Sequence, residues 1–261
     1  MIISIIKQNK KLKLLITFVV WILLWQIISL IVNEDLLIPS PWTVTVSAVL
    51  LLKTSGFWLS AGASLLRIVV GFLAGLIIGC VLAFITAKFQ TINMLISPIM
   101  HIIRAAPVAS FIILALLWIQ TSFLPAFISF LMVTPLVWDS MQTGIKKIDP
   151  SILEMTKVFK LSKAKTFFFV KIPSLFPFFI SSCITGIGFA WKSGIAAEII
   201  CRPVWSIGRQ LQDAKTYLET PQVFAWTALI IILSLILEKF LLYIFKHINN
   251  IQKYIFKYCF R

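Results

Sequence analysis

The sequence predicts an all-α, polytopic membrane protein with six transmembrane helices. Three observations carry that prediction. Hydrophobic residues make up 60% of the chain and mean hydropathy is +1.00. Charged residues make up 13%, against roughly 25% in a soluble domain. The apolar residues also gather into runs that reach the ~20 residues a helix needs to cross hydrocarbon. A net charge of +15 raises the possibility of a nucleic-acid partner. The basic residues flank apolar runs and form no separate basic domain, so no nucleic acid is expected. Cys80, Cys183, Cys201 and Cys259 show no paired spacing, and His101 and His247 give no cluster, so neither disulfides nor a metal are expected.

The elements follow in order. Lys7, Lys10, Lys11 and Lys13 precede an apolar run that is too long for a signal-peptide core and lacks a small-residue cleavage site. It is expected to be an uncleaved first span over 14–33, closed by Asn33-Glu34-Asp35 and Pro39-Ser40-Pro41. Residues 42–60 are expected to form an amphipathic or interfacial segment anchored by Trp42 and Trp58. Span 2 follows over 64–87, then span 3 over 94–118, interrupted by Pro107, then span 4 over 123–142. A polar insert occupies 144–173, span 5 covers 174–200, and a loop with Arg202, Pro203 and Pro221 leads to span 6 over 222–245. The chain thus forms a single membrane domain over 1–261.

Sidedness comes from the basic residues. With the N-terminus in the cytoplasm, the inner segments hold the four N-terminal lysines and Lys88. They also hold Lys146, Lys147, Lys157, Lys160, Lys163, Lys165 and Lys171 of the insert, and Lys239, Lys246, Lys253, Lys257 and Arg261. The outer segments hold Lys53, Arg202, Arg209 and Lys215. The positive-inside rule therefore places both termini and the insert in the cytoplasm.

Two spans carry small residues at every fourth position. Gly71, Gly75, Gly79, Ala83 and Ala87 lie along span 2, and Ser182, Gly186, Ala190 and Gly194 along span 5. That spacing makes a flat face for close helix packing. In the insert, Asp149 is suited to cap a helix and Pro150 to occupy its first position. A helix over 150–160 gathers Ile152, Leu153, Met155, Val158 and Phe159 on one face. Ser162 is expected to start a second short helix that reaches Val170 and stops at Pro173. The residues alone leave two readings: a membrane-surface helix whose lysines touch anionic lipid, or a helix that docks into a partner's groove.

The segment from Glu154 to Pro173 resembles the EAA loop of ABC importer permeases, the membrane subunits of binding-protein-dependent transporters. That motif is Glu-Ala-Ala, three residues, Gly, nine residues, then Ile-x-Leu-Pro. Glu154 matches its acid, Met155 and Thr156 replace the alanines, and Lys160 stands where Gly belongs. Val170, Lys171, Ile172 and Pro173 match the closing cluster at the family's spacing. Lys160 implies either a helix that continues where the family turns, or a turn that tolerates a side chain. The resemblance covers nearly the whole chain and is closest to the nitrate/sulfonate/taurine group. The segments that carry it are IPSPWTV at 38–44, SLLRIVVGFLAGLIIG at 64–79, RAAPVASFIILALLWI at 104–119 and DAKTYLETPQVFAW at 213–226.

The resemblance implies a type I importer permease fold in a bacterial cell membrane. It implies ABC ATPase subunits that dock on Pro150, Ile152, Glu154, Met155, Thr156, Val158, Phe159, Lys160, Val170, Ile172 and Pro173. It also implies an external substrate-binding protein, a second permease copy in a homodimer, and lipid around the spans. The solute it implies is small and polar, a nitrate-, sulfonate- or taurine-like anion or a thiamine-precursor pyrimidine. No Gly-Lys dipeptide occurs in the chain, so it holds no P-loop. The chain is expected to be no enzyme and to hold no cofactor, with ATP hydrolysed by another subunit.

Ionisable groups inside spans are the candidates for the path or its gate. Arg104 lies about 15 Å into span 3 at 1.5 Å per residue. Arg104 either lines the path or pairs with an acid such as Asp139, and Pro107, one turn on, is suited to free a backbone carbonyl. Lys192 lies near the outer end of span 5, where it either attracts an anion or snorkels to the interface. Glu198 lies beyond it on a different face. Arg67 is read as snorkelling at the outer end of span 2. Trp118, Trp138, Trp191 and Trp226 are read as interface anchors. Two other classes stand beside the importer. An ion-gradient secondary transporter would need coupling acids deep in its spans, and the third class is a non-transporting membrane scaffold.

Overall fold

The computed structural model describes the backbone of residues 10–259 and the side chains of residues 12–247 other than Leu14. Lys7, Lys10, Lys11, Lys253, Lys257, Arg261 and Cys259, weighed above, fall outside the described side chains. Among the described residues every regular element is a helix. In order these are α1 (Lys10–Val32), α2 (Pro41–Leu52), α3 (Ser55–Lys88), α4 (Gln90–Ala105), α5 (Val108–Ala115), α6 (Leu124–Lys146), α7 (Pro150–Val158) and α8 (Lys163–Thr166). A π-helical turn (Phe167–Lys171) leads into α9 (Ile172–Cys201), followed by α10 (Ile207–Thr216) and α11 (Thr220–Cys259). Among the described residues, five helical stretches are long and apolar enough to cross a bilayer, or six if α4 and α5 form one broken span.

The centre of the molecule is the packing of α3, α6 and α9. Lipid tails are as apolar as leucine, so helices in a bilayer associate through close contact rather than through release of water. Gly71, Gly75 and Gly79 of α3 provide that contact against α6. A Cβ at Gly71 would lie 2.1 Å from the Ala126 carbonyl oxygen, and one at Gly79 would lie 2.8 Å from that of Thr134. Gly194 brings α9 against the same pair, since a Cβ there would lie 2.5 Å from Ile68 and 2.7 Å from the Ser129 hydroxyl. Ser129 Oγ donates to the Ala190 carbonyl at 3.0 Å, which fixes the register of α6 on α9.

Several elements differ from the sequence-based expectation. The segment 42–60 is not one interfacial piece. Ser40 caps α2 by accepting from the Thr43 N–H, and Thr54 caps α3 by accepting from the Phe57 N–H. The second span therefore begins at Ser55, and Phe57 is buried against the Trp226 ring, 5.3 Å between centroids. Span 3 is broken more sharply than an interruption, with α4 and α5 meeting at 104°. Pro107 causes this by holding Ala106 in the extended region (φ −78°, ψ 144°).

The expected loop after span 5 contains α10, whose polar sequence hid it. Ser206 caps it, and Ile207, Gly208 and Ala214 face inward. The second insert helix does not stop at Pro173. The chain is helical from Lys163 to Cys201, and the π turn just before the proline provides the wider register that its missing N–H and bulky ring require. Trp138, Trp191 and Trp226 are not interface anchors but core residues, at most 4% exposed. The Trp138 indole N–H donates to Thr86 Oγ1 at 2.9 Å and that of Trp191 to the Ile230 carbonyl at 3.2 Å. Trp118, Trp42 and Trp58 are exposed.

Gly71→Ala should destabilise the protein by about 1–3 kcal/mol, because the added methyl collides with the α6 backbone. Gly188→Ala, which meets nothing within 4 Å, should be neutral or slightly stabilising. Thermal unfolding of the two purified variants in detergent separates them. Equal melting temperatures would show that backbone contact between α3 and α6 is not what holds the bundle.

Candidate functional site

The break at Pro107 turns the end of α4 and the start of α5 toward α6 and α9. Between them lies a cavity of about 620 Å³ lined by Ile103, Arg104, Ala106, Val108, Met132, Pro135, Leu136, Thr185, Phe189, Lys192, Ser193 and Ala196. A second cavity of about 270 Å³ shares Arg104, Leu136 and Thr185 with it, and adds Asp139, Ser140, Thr143, Phe178, Ser181 and Ser182. The two form one open groove along α6 and α9. From Ser181 to Lys192 it extends about 16 Å along the α9 axis.

Arg104 Nη1 donates to Asp139 Oδ2 at 2.7 Å, and both side chains remain about half exposed to the groove. The two sequence readings of Arg104 are therefore compatible, since it pairs with Asp139 and lines the cavity. Lys192 stands farther along α9 on the same wall, with no carboxylate within ion-pair distance among the described residues. The groove thus carries two cations and one carboxylate. Pro107 is absent from its lining and contributes the bend. Ser181 and Thr185 were missed by the sequence reading. Their signal is the four-residue spacing of Ser181, Thr185 and Phe189, which marks a face of α9 one residue out of phase with the buried stripe at Ser182, Gly186, Ala190 and Gly194.

Glu198 is not a groove residue. It is fully buried, and its carboxylate joins three helices. Oε2 accepts from Ser64 Oγ at 2.7 Å and from the Gly208 N–H at 3.2 Å, while Ser64 Oγ accepts from the Ile207 N–H at 3.0 Å. Arg67 does not snorkel to an interface. Its guanidinium lies 3.7 Å from Glu198 Oε1 and donates to the carbonyls of Trp205 at 3.0 Å and Val204 at 2.9 Å. A buried carboxylate without partners would be very costly, and these donors explain why it is tolerated. The clasp seats the N-terminus of α10 on α9, so closely that a Cβ at Gly208 would lie 2.4 Å from that of Glu198. Asp213 on α10 pairs with Arg202, the left-handed residue that ends α9.

In the insert, Asp149 Oδ1 accepts from the Ser151 N–H at 2.8 Å and starts α7 at Pro150. Leu153 packs against the core and Thr156 is buried. Ile152, Glu154, Met155, Val158 and Phe159 are exposed, with Val158 at 78% and Phe159 at 70%. The apolar residues of α7 thus fall on two sides, one holding the helix to the bundle and one unpartnered. Thr156 belongs to the holding side. Lys160 adopts the left-handed conformation (φ 50°), and the Leu161 N–H reaches back to the Thr156 carbonyl at 2.9 Å. The position where the EAA motif has Gly is therefore a turn that carries a side chain. Val170, Ile172 and Pro173 are partly buried at the π turn and the start of α9.

The family described as "Binding-protein-dependent transport system inner membrane component" matches residues 71–250. A taurine transport system permease protein of Escherichia coli is 25% identical over 233 residues, covering 86% of this chain and 82% of that protein. A nitrate import permease protein of Synechocystis is 25% identical over 253 residues, covering 92% and 90%. A bicarbonate transport system permease protein of Synechocystis is 30% identical over 207 residues, covering 74% and 73%.

Arg67→Met removes the one cation that lies beside the Glu198 carboxylate among the described residues. It should destabilise the protein by roughly 3 kcal/mol, the lower end for removing one partner of a buried pair, because Arg67 keeps some solvent contact. The double variant Arg67→Met with Glu198→Gln should recover part of that loss. Additive losses in thermal unfolding would show that the two residues act separately.

Proposed function

The chain belongs to the family of binding-protein-dependent transport system inner membrane components, and from that premise we propose that it is the path-forming permease of an ATP-driven importer for a small anion. The observation that carries the substrate class is the groove along α6 and α9, whose lining holds two cations, Arg104 and Lys192, and a single carboxylate, Asp139, which pairs with Arg104. Arg104 is neutralised by Asp139 while Lys192 has no ion-pair partner among the described residues, and an unpaired cation within a span is costly and signals a path for charge. The three relatives are named for taurine, nitrate and bicarbonate, each a small solute that carries an anionic oxygen group. The cation excess favours such a solute over a neutral pyrimidine.

In this reading both termini and the insert lie in the cytoplasm, as the distribution of Lys and Arg favours. The insert is the docking surface for a separate ATPase subunit. Support comes from the unpartnered Ile152, Met155, Val158 and Phe159 around exposed Glu154, a short apolar helix face of the kind that seats in a partner's groove. A second copy of the chain completes the path, and an external binding protein delivers the solute to the α10 side. Closure of the ATPases moves the inserts and rocks the spans as rigid bodies between inward- and outward-facing states.

Two measurements test this. Glu154→Lys, or Val158→Glu with Phe159→Glu, should abolish co-purification of the ATPase while leaving the fold intact. Retention of the ATPase by these variants and by a 150–170 deletion would rule out the docking surface. Lys192→Ala should lower anion uptake into proteoliposomes of the full transporter about tenfold, equivalent to ~1.4 kcal/mol, and Lys192→Arg should retain most of it. Uptake driven by an ion gradient without ATP would defeat the importer reading.

A further inference from the structure

We propose that a second groove, beneath the insert, binds one anionic glycerophospholipid. This groove, about 630 Å³, shares no lining residue with the path groove. Its floor and walls are apolar: Val81, Phe84 and Ile85 of α3, Ile148 after α6, and Leu153 of α7 are among them. Its charges are Lys88 and Lys171. No acidic residue lines it, and neither lysine is in an ion pair among the described residues.

The placement of charge and apolar surface matches a lipid rather than a soluble anion. Lys88 is the last residue of α3 and Lys171 ends the π turn directly before α9, so both cations stand where apolar membrane-crossing stretches meet the polar insert side, the level expected for headgroups. Val81 lies seven residues before Lys88, about 10 Å deeper along the helix axis, which is acyl-chain depth. Basic pockets between spans at the cytoplasmic surface are suited to acidic headgroups. A phosphodiester at the rim would meet both ammonium groups, and a chain would lie over Val81 and Ile85. A free phosphate would leave most of this surface uncovered, and a zwitterionic headgroup brings no net charge for the lysines.

The groove touches both halves of the insert's attachment, Leu153 on α7 and Phe167 with Lys171 at the π turn. A bound lipid would therefore brace the insert against α3. The inference rests on the cytoplasmic placement of this end, and not on ATP-driven transport, since it is tested by lipid retention on the chain alone.

The full chain, purified in detergent and stripped of lipid, is incubated with equal phosphatidylglycerol and phosphatidylcholine, and retained lipid is read by native mass spectrometry. Wild type should retain phosphatidylglycerol roughly tenfold over phosphatidylcholine, as two lysines near an anionic headgroup allow. Lys88→Gln with Lys171→Gln should bring that ratio to near one, and Ile85→Trp, which fills the groove, should lower total retention. Lys239→Gln with Lys246→Gln, basic residues outside the groove, should keep the wild-type ratio, and millimolar inorganic phosphate should not displace the lipid. Gel filtration confirms that each variant is folded, and Ile85→Trp stands as the test if the lysine variant is not. The proposal is overturned if wild type shows no preference, or if the groove variants retain the wild-type ratio and amount. A matching loss in the Lys239 and Lys246 variant, or displacement by phosphate, also overturns it.

Discussion

The backbone of α6 occupies the space that side chains on one face of α3 would otherwise fill. The Ala126 carbonyl oxygen lies 2.1 Å from where a Cβ of residue 71 would be, so α3 and α6 can approach this closely only because glycine is there. α9 then fits into the seam through Gly186 and Gly194. With α3 and α9 set against α6 along their small-residue faces, the larger residues on the remaining surfaces are left to line cavities. Both grooves are outer flanks of this seam, one between α6 and α9 and the other at the end of α3. In a bilayer, where apolar burial gives little reason for helices to associate, such steric fit has to supply the cohesion.

The two ends of the fused core are finished differently. At the α10 end a buried carboxylate collects a hydroxyl, a backbone N–H and a guanidinium, and so ties down a helix that is too polar to be held by lipid. Toward the insert, a smaller network does related work inside the bundle. Thr86 Oγ1 accepts from the Trp138 indole at 2.9 Å and the Gln142 amide at 2.6 Å, and that amide also reaches Asn93 at 3.0 Å. Beyond that network α7 of the insert is held to the bundle by Leu153 and Thr156. The two ends of the bundle are thus unequal, one firmly clasped and the other lightly held.

Much of this was legible in the residues, and the exceptions have physical causes. Apolar run length gave the spans, four-residue spacing gave the α3 and α9 faces, and Asp149-Pro150 gave the start of α7. Pairing of Arg104 with an acid such as Asp139 was one of two readings open from sequence, because both are ionisable groups in apolar surroundings. Glu198 and Arg67 were misread because their partners lie far away in sequence or in the backbone. Ser64 is 134 residues distant and the Gly208 N–H has no side-chain signature. α10 was missed because hydropathy cannot distinguish a polar helix seated on a clasp from a polar loop. The buried tryptophans were misplaced because proximity to a span end does not reveal which way the ring turns. The groove hydroxyls were visible only as a faint stripe beside a stronger one.

The π turn at Phe167–Lys171 determines how stiff the connection is between the insert and the spans. Because the helix does not end there, residues 163–201 form one strut, about 58 Å long at 1.5 Å per residue. A push on its outer tip is delivered along the axis of α9 rather than absorbed in a loop. Within that strut, compliance is concentrated from the π turn to Pro177, where Pro173 and Pro177 each withhold an N–H from the preceding turn and the helical register loosens. The strut is therefore stiff in compression and softer in bending near the π turn and its two prolines, Pro173 and Pro177, beside Lys171.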